Sequence, residues 1–385
     1  EGQHTHECRK KVMEAMGRGG RMARLRLGYK SAYFLFEPAD IRRVLMDDSA
    51  DYAKTTRGYE KLRILLGNGL VTSEGDFWLR QRRIAQPAFH RKCIEGFADS
   101  MVVAAKDQCE RWRSAAYTGT AVDVADAMNM VTLRIAGQTL MSVDMTTEGR
   151  EVGEAMAYVL ERFNHIVSSP IPWPEYWPTT ANLKVWRAVR TLRRVTDGII
   201  DDRRRSGAQV ADLLGMFMAA TDPETGESMN DVQLRDEVLT MLLAGHETTA
   251  NGLAWILYLL SKHPEVTTRL EAEIDGVIGN GSVGVHNMRS LGYTNQVIKE
   301  ALRLYPPVWM VGREAQKDTE LGGYRIPRGS YVFISQYANH RNPKYWTNPE
   351  AFDPNRFSPD AVEPDRFVYL PFSRGRRQCI GDRFA

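Results

Sequence analysis

Residues 371–381 read PFSRGRRQCIG, and the chemistry of this one stretch sets the frame for the rest of the chain. A cysteine that binds a metal acts as its thiolate, which nearby positive charge and backbone donors favour. Arg374, Arg376 and Arg377 bring that charge within five residues of Cys379. Gly375 and Gly381 admit backbone angles closed to other residues, so the chain can turn tightly around the sulfur. Phe372 can shield it from water. A helix beginning just after Cys379 would point its positive end at the thiolate. Taken alone, a cysteine in such a loop is more often an inert buried thiol.

The bulk properties narrow the field. The chain has 385 residues, 43% hydrophobic and 26% charged, with a net charge of +3. That is ordinary for a globular protein, long enough to bury a large core and enclose a ligand. Near-balanced charge gives no ground for nucleic-acid binding. Cys8, Cys93, Cys109 and Cys379 are widely spaced, without a Cys-x-x-Cys pair. Neither a disulfide framework nor a zinc ribbon is indicated. The longest apolar run, 238–260, carries His246, Glu247, Thr248 and Thr249 at its centre. An ionisable group at mid-membrane costs roughly 2.5–3.5 kcal/mol, so the run reads as a buried helix with a polar centre. No secretory signal is visible. The first residue is Glu1 and the last, Ala385, follows Cys379 by six positions. Truncation at both termini is therefore expected, with a single catalytic domain over 1–385.

Periodicity and Pro/Gly punctuation give a mostly α chain with small β-sheets. Strands are expected at 22–36 around a Gly-Tyr-Lys turn, at 319–324 and at 331–335. Helices are expected at 38–46, 77–84, 94–116, 121–141, 148–167, 181–205, 208–220, 230–261, 264–279 and 289–304. The stretch 168–178, SSPIPWPEYWP, is an aromatic loop. No βαβ alternation appears, which argues against nucleotide-binding α/β folds. Gly279, Gly281 and Gly284 spell G-x-G-x-x-G but follow a charged helical run rather than a strand, so the dinucleotide reading fails. His246-Glu247 lacks the second histidine of H-E-x-x-H, since Ala250 stands there.

The spacing F-x-x-G-x-R-x-C-x-G, met by Phe372, Gly375, Arg377, Cys379 and Gly381, resembles the cytochrome P-450 family. Two further stretches carry the resemblance. Glu300-Ala-Leu-Arg303 before Pro306-Pro307 is similar to the family's K helix, and Arg356 in FDPNRF matches its third member. Ala244-Gly245-His246-Glu247-Thr248-Thr249 is similar to the acid–alcohol centre of the I helix. The resemblance implies the P-450 fold, with haem between a long kinked I helix and the cysteine-ligand loop. It implies haem b (iron protoporphyrin IX) ligated by Cys379, whose thiolate makes the iron electron-rich enough to favour O–O cleavage. Gly381 and Phe372 shape that loop, and Arg377 pairs with a propionate. Trp78 and Arg82, as W-x-x-x-R, and Arg313 are further propionate contacts. Ala244 and Gly245 leave room beside the iron, while Glu247 and Thr248 handle protons and oxygen. Glu300, Arg303 and Arg356 form a structural triad.

The implied activity is monooxygenation by O2, with electrons ultimately from NAD(P)H through a ferredoxin or flavodoxin-type partner and its reductase. A haem-thiolate peroxygenase or isomerase, and a non-catalytic haem protein, are the competing readings. The basic residues Arg80, Arg82, Arg83, Arg91 and Lys92, with Arg374 and Arg376, suggest a docking face for an acidic donor. Met241, Val308, Trp309, Met310 and Val311 are expected to line a lipophilic pocket, with the loop 170–178 at its entrance. A fatty acid, terpenoid, steroid or polyketide fits such a lining. The expected location is the cytoplasm, or the endoplasmic reticulum membrane if an anchor precedes Glu1.

Overall fold

The computed structural model describes residues 3–17, 19–144, 149–168, 177–207 and 210–384. In chain order the elements begin with α1 (Gln3–Gly17), β1 (Met22–Leu27), β2 (Lys30–Leu35), α2 (Pro38–Arg42) and β3 (Tyr52–Ala53). Helices follow: α3 (Arg57–Leu66), α4 (Gly75–Ala85), α5 (Arg91–Glu95), α6 (Ala98–Thr118), α7 (Val124–Met141) and α8 (Gly149–Ser168). Then come α9 (Thr180–Ser206), α10 (Leu213–Ala219), α11 (Asp231–Lys262), α12 (Pro264–Val277) and α13 (Gly292–Leu304). The last elements are β4 (Val311–Ala315), β5 (Thr319–Leu321), β6 (Tyr324–Ile326), β7 (Tyr331–Ile334) and α14 (Gln336–Asn339). No helix of the described residues is long and apolar enough to cross a membrane.

The chain forms two compact units, one of Glu1–Thr56 with Asn251–Asp382, the other of Arg57–Ala250 with Arg383–Ala385. The first holds a five-stranded sheet in the order β1-β2-β7-β4-β3, antiparallel except for β2 with β7. Alternate residues of β2 serve opposite faces, as the two-residue repeat of a strand requires. Tyr33 and Leu35 join Ile41, Val44, Leu45 and Leu370, whereas Ala32 and Phe34 join Val12, Met16, Phe36 and Ala338. Departures from the sequence expectation occur here. No strand is expected at 52–53 or 311–315, yet β3 and β4, the latter VGREA, belong to the sheet. A Cβ at Gly312 of β4 would stand 2.8 Å from the Phe333 ring, so the packing requires glycine. The expected strand 319–324 is instead the hairpin β5–β6, turned by Gly322 and Gly323 at φ 56° and 83°. Positive φ at both turn positions suits the twist of paired strands.

Helix α13 buries its Glu300 and Arg303 completely, at 0% exposure each. Arg303 Nε and Nη2 donate to the two Glu300 oxygens at 2.7 and 2.8 Å, a bidentate pair. Its remaining donors reach the carbonyls of His340, Pro349 and Ala351. Glu300 Oε1 also accepts from Asp353 N at 3.0 Å and Arg356 Nε at 3.3 Å. The expected triad is thus assembled, and it holds the loop 348–353 by its backbone. Fully buried His340 extends it: Nδ1–H donates to Arg303 O at 3.3 Å, and Nε2 accepts from Leu370 N at 3.0 Å. The Nε2 bond needs the neutral ring, which burial favours by pushing the pKa down to about 3.

Removing one member of a buried charge pair strands the other in low dielectric. Glu300→Ala should cost about 3–5 kcal/mol, read as a lowered urea midpoint; an unchanged midpoint would contradict a buried pair. For His340 the folded pKa lies below the ordinary 6.5, so on acidification the unfolded chain binds its proton first. The stability this residue contributes is whole above that value and is lost as pH falls towards about 3, by up to about 1.4 kcal/mol per unit. His340→Gln should flatten that acid limb, measured by chemical denaturation at stepped pH.

Candidate haem and oxygen site

In the first unit the cysteine loop is shaped by its backbone. Gly375 has φ +78°, and a Cβ there would lie 1.9 Å from the carbonyl oxygen of Leu45, which sits in a π-helical turn, Arg43–Asp47. Only glycine lets the loop approach so closely. Cys379 N donates to Phe372 O and Gln378 N to Gly375 O, each at 3.0 Å, which closes the turn. Cys379 stands exposed upon it. Residues 380–384 are turns, so the expected helix after Cys379 is absent among the described residues. Arg374, Arg376 and Arg377 flank Cys379 in sequence. Arg313, on β4, is buried and donates to Gly312 O at 2.8 Å. Of the expected pocket residues here, Met310 and Val311 pack into the two cores of the sheet. Val308 is exposed, and Trp309 is half-buried, its carbonyl accepting from Tyr337 N and Ser335 Oγ.

In the second unit α11 carries the acid–alcohol segment. The helix is uninterrupted through 244–249, where a kink is expected, and Thr248 Oγ1 donates back to Ala244 O at 2.5 Å. Such a back-bond competes with the helical ladder. Ala244 is exposed although it lies mid-helix, and a Cβ at Gly245 would meet nothing within 4 Å. Met241 is buried one turn earlier. Burial pushes the Glu247 carboxyl above its ordinary range, so it retains a proton more readily than a surface glutamate. His246, which the sequence reading left without a role, is buried with Nε2 3.1 Å from Asn129 O, and burial lowers its pKa. Its burial follows from packing against α7, which local sequence does not reveal.

Helix α4 presents Trp78 and Arg82 four residues apart, Trp78 buried and Arg82 half-buried. Three members of the expected basic docking face, Arg80, Arg83 and Arg91, are paired with carboxylates. Arg83 makes a bidentate pair with Asp222 at 2.8 Å and a third contact to Glu224 at 2.9 Å. Arg80 pairs with Glu227, and Arg91 with Glu95. The Arg83 guanidinium pulls Asp222 down to about 2. Of the aromatic entrance loop, residues 169–176 lie outside the described residues.

The residues fit haem in each unit taken separately. One presents a lone cysteine on a turn that only glycine can close, amid arginines, with Arg374 Nε buried and unpartnered among the described residues. The other offers open space at Ala244 and Gly245 beside a half-buried acid and a hydroxyl.

Comparison with known proteins agrees with this chemistry. The family description Cytochrome P450 matches residues 2–385. Cyclooctat-9-en-7-ol 5-monooxygenase of Streptomyces melanosporofaciens is 38% identical over 371 residues, which cover 95% of this chain and 79% of that one. Pentalenene oxygenase of Streptomyces avermitilis is 34% identical, covering 97% and 82% of the two chains. Among solved structures, the cytochrome P450DA heme domain superposes with a TM-score of 0.90 at 29% identity, over 99% of this chain and 85% of that one. The family match thus runs along nearly the whole chain, and the chain belongs to the cytochrome P450 family as a haem-dependent monooxygenase of lipophilic small molecules.

Proposed function

We propose that the protein hydroxylates or epoxidises a terpenoid, the whole chain serving as one catalytic domain. The carrying observation is the Glu247–Thr248 pair beside the open Ala244–Gly245 turn. The terpenoid class is supported by the relatives, which include the cyclooctatenol monooxygenase and pentalenene oxygenase. Electrons come from NAD(P)H through a ferredoxin or flavodoxin-type protein and its reductase, in the cytoplasm. Because Arg80, Arg83 and Arg91 are already paired, that donor gains less from α4 and α5 than their basic sequence suggests.

Cys379 would ligate haem through its thiolate. Arg377, Trp78, Arg82 and Arg313 would hold its propionates, and Phe372 with Gly381 would shape the ligand turn. When bound, haem supplies the iron at which dioxygen is cleaved. The protein's own part is proton handling: one oxygen atom goes to product and the other leaves as water, which consumes two protons and two electrons. Glu247, whose carboxyl burial pushes above its ordinary range, supplies a proton inward. Thr248 Oγ1 gives up its bond to Ala244 O and donates towards the oxygen instead. Val308, Trp309 and Met241 face the substrate, while Met310 and Val311 pack into the cores of the sheet.

Two outcomes follow. Thr248→Ala should leave electron consumption running while product per electron pair falls about tenfold or more; unchanged product yield would favour the peroxide-using or isomerase reading. Cys379→Ser should abolish the far-red carbon monoxide band that the reduced wild-type protein shows. A spin-shift titration over terpenoids, fatty acids and steroids tests the substrate class, and a response confined to fatty acids or steroids would rule out the terpenoid assignment.

A further inference from the structure

Glu237 lies at the edge of the apolar run of α11, ten residues before Glu247, and is fully buried. Its Oε2 accepts from Leu70 N at 3.0 Å and its Oε1 from Gln81 Nε2 at 3.2 Å. The neighbouring Asp236 accepts from Asn68 N at 2.8 Å. The loop between α3 and α4 is pressed hard onto this turn. A Cβ at Gly67 would stand 2.1 Å from the Asp236 carboxylate, and one at Gly69 would stand 2.1 Å from Thr240 Oγ1. Gln81 belongs to the buried face of α4, together with Trp78, Ile84 and Ala85. Anchoring Gln81 fixes the rotation of α4 about its axis, and so the direction of its neighbour Arg82.

We propose that Glu237 is a positioning residue for the cofactor, its buried carboxyl joining α11, the loop 67–73 and α4 so that Trp78 and Arg82 are held in register with Ala244–Thr248. The inference rests on the reading of Trp78 and Arg82 as haem contacts. Chemistry favours the neutral acid in this role. Gln81 Oε1 has no partner among the described residues; a half-turn of that amide brings it to the acid's O–H, while the acid's carbonyl keeps the Leu70 bond. Burial, with the nearby Asp236 carboxylate adding to it, raises the Glu237 pKa to about 8. The loop contributes amides and hydroxyls, and α4 contributes neutral Gln81; Asp236 is the charged group acting on the site. Because the carboxyl ionises more easily in an opened site, raising pH from its ordinary 4.5 through about 8 progressively favours opening.

The test is the rate at which the purified holoenzyme releases haem to excess apomyoglobin, from pH 6 to 9. Outer-shell losses typically weaken a bound metal group by roughly ten- to hundredfold. Glu237→Leu should speed release by that order, Arg82→Met should speed it as well, and the double variant should be no faster than the faster single one. The carbon monoxide band of protein still holding haem should be unchanged in all three. Glu237→Gln, neutral at every pH, should retain haem and lack the alkaline acceleration of the wild type. If Arg82→Met speeds release and Glu237→Leu does not, or if the two effects simply multiply, the positioning role is overturned while the haem contact stands. If Arg82→Met has no effect, the haem-contact reading falls and the inference with it. Should Glu237→Leu fail to fold, the pH series decides: identical profiles for wild type and Glu237→Gln overturn the role.

Discussion

The buried bidentate pair of Glu300 and Arg303 is the constraint on which the first unit depends. Two full charges at 0% exposure are tolerated only because every oxygen and nitrogen is engaged. That satisfaction is possible only if loop 348–353 offers its carbonyls and amide at the right places. The pair therefore specifies a loop conformation rather than merely adding stability. His340 passes the constraint on, since its two bonds link the end of α13 to Leu370, the residue before the cysteine loop. Order around Cys379 is thus inherited from an ion pair that never touches it.

Much of this was legible in the residues themselves. The long helices followed from apolar periodicity and from proline and glycine stops, because those signals are local. The cysteine loop and the acid–alcohol segment were legible because their chemistry is compressed into a few consecutive positions. β4 was not, since Val-Gly-Arg-Glu-Ala has weak strand propensity and is recruited by its neighbours in the sheet. The hairpin β5–β6 reads as one strand from local propensity, although Gly322 and Gly323 turn the chain within it.

What the residues concealed were contacts across long stretches of chain. Arg83 and Asp222 are 139 positions apart and Arg80 and Glu227 are 147 apart, so α4 read as a free basic face although its charges are largely met. His340 and Glu237 gave no signal for the same reason. A histidine or glutamate shows its protonation preference only through what the fold places around it. Their neutrality is a property of the tertiary structure.

The approach of Gly375 to the Leu45 carbonyl has a bearing on recombination within the family. The segment carrying Leu45 and the cysteine loop are separated by more than three hundred residues of sequence, yet they meet backbone to backbone. Shuffled chains that take their first fifty or so residues from one parent and their last third from another must therefore inherit this junction intact. A parent whose Arg43–Asp47 turn winds differently would bring its carbonyl elsewhere, and the ligand loop of the other parent would have no matching groove to settle into.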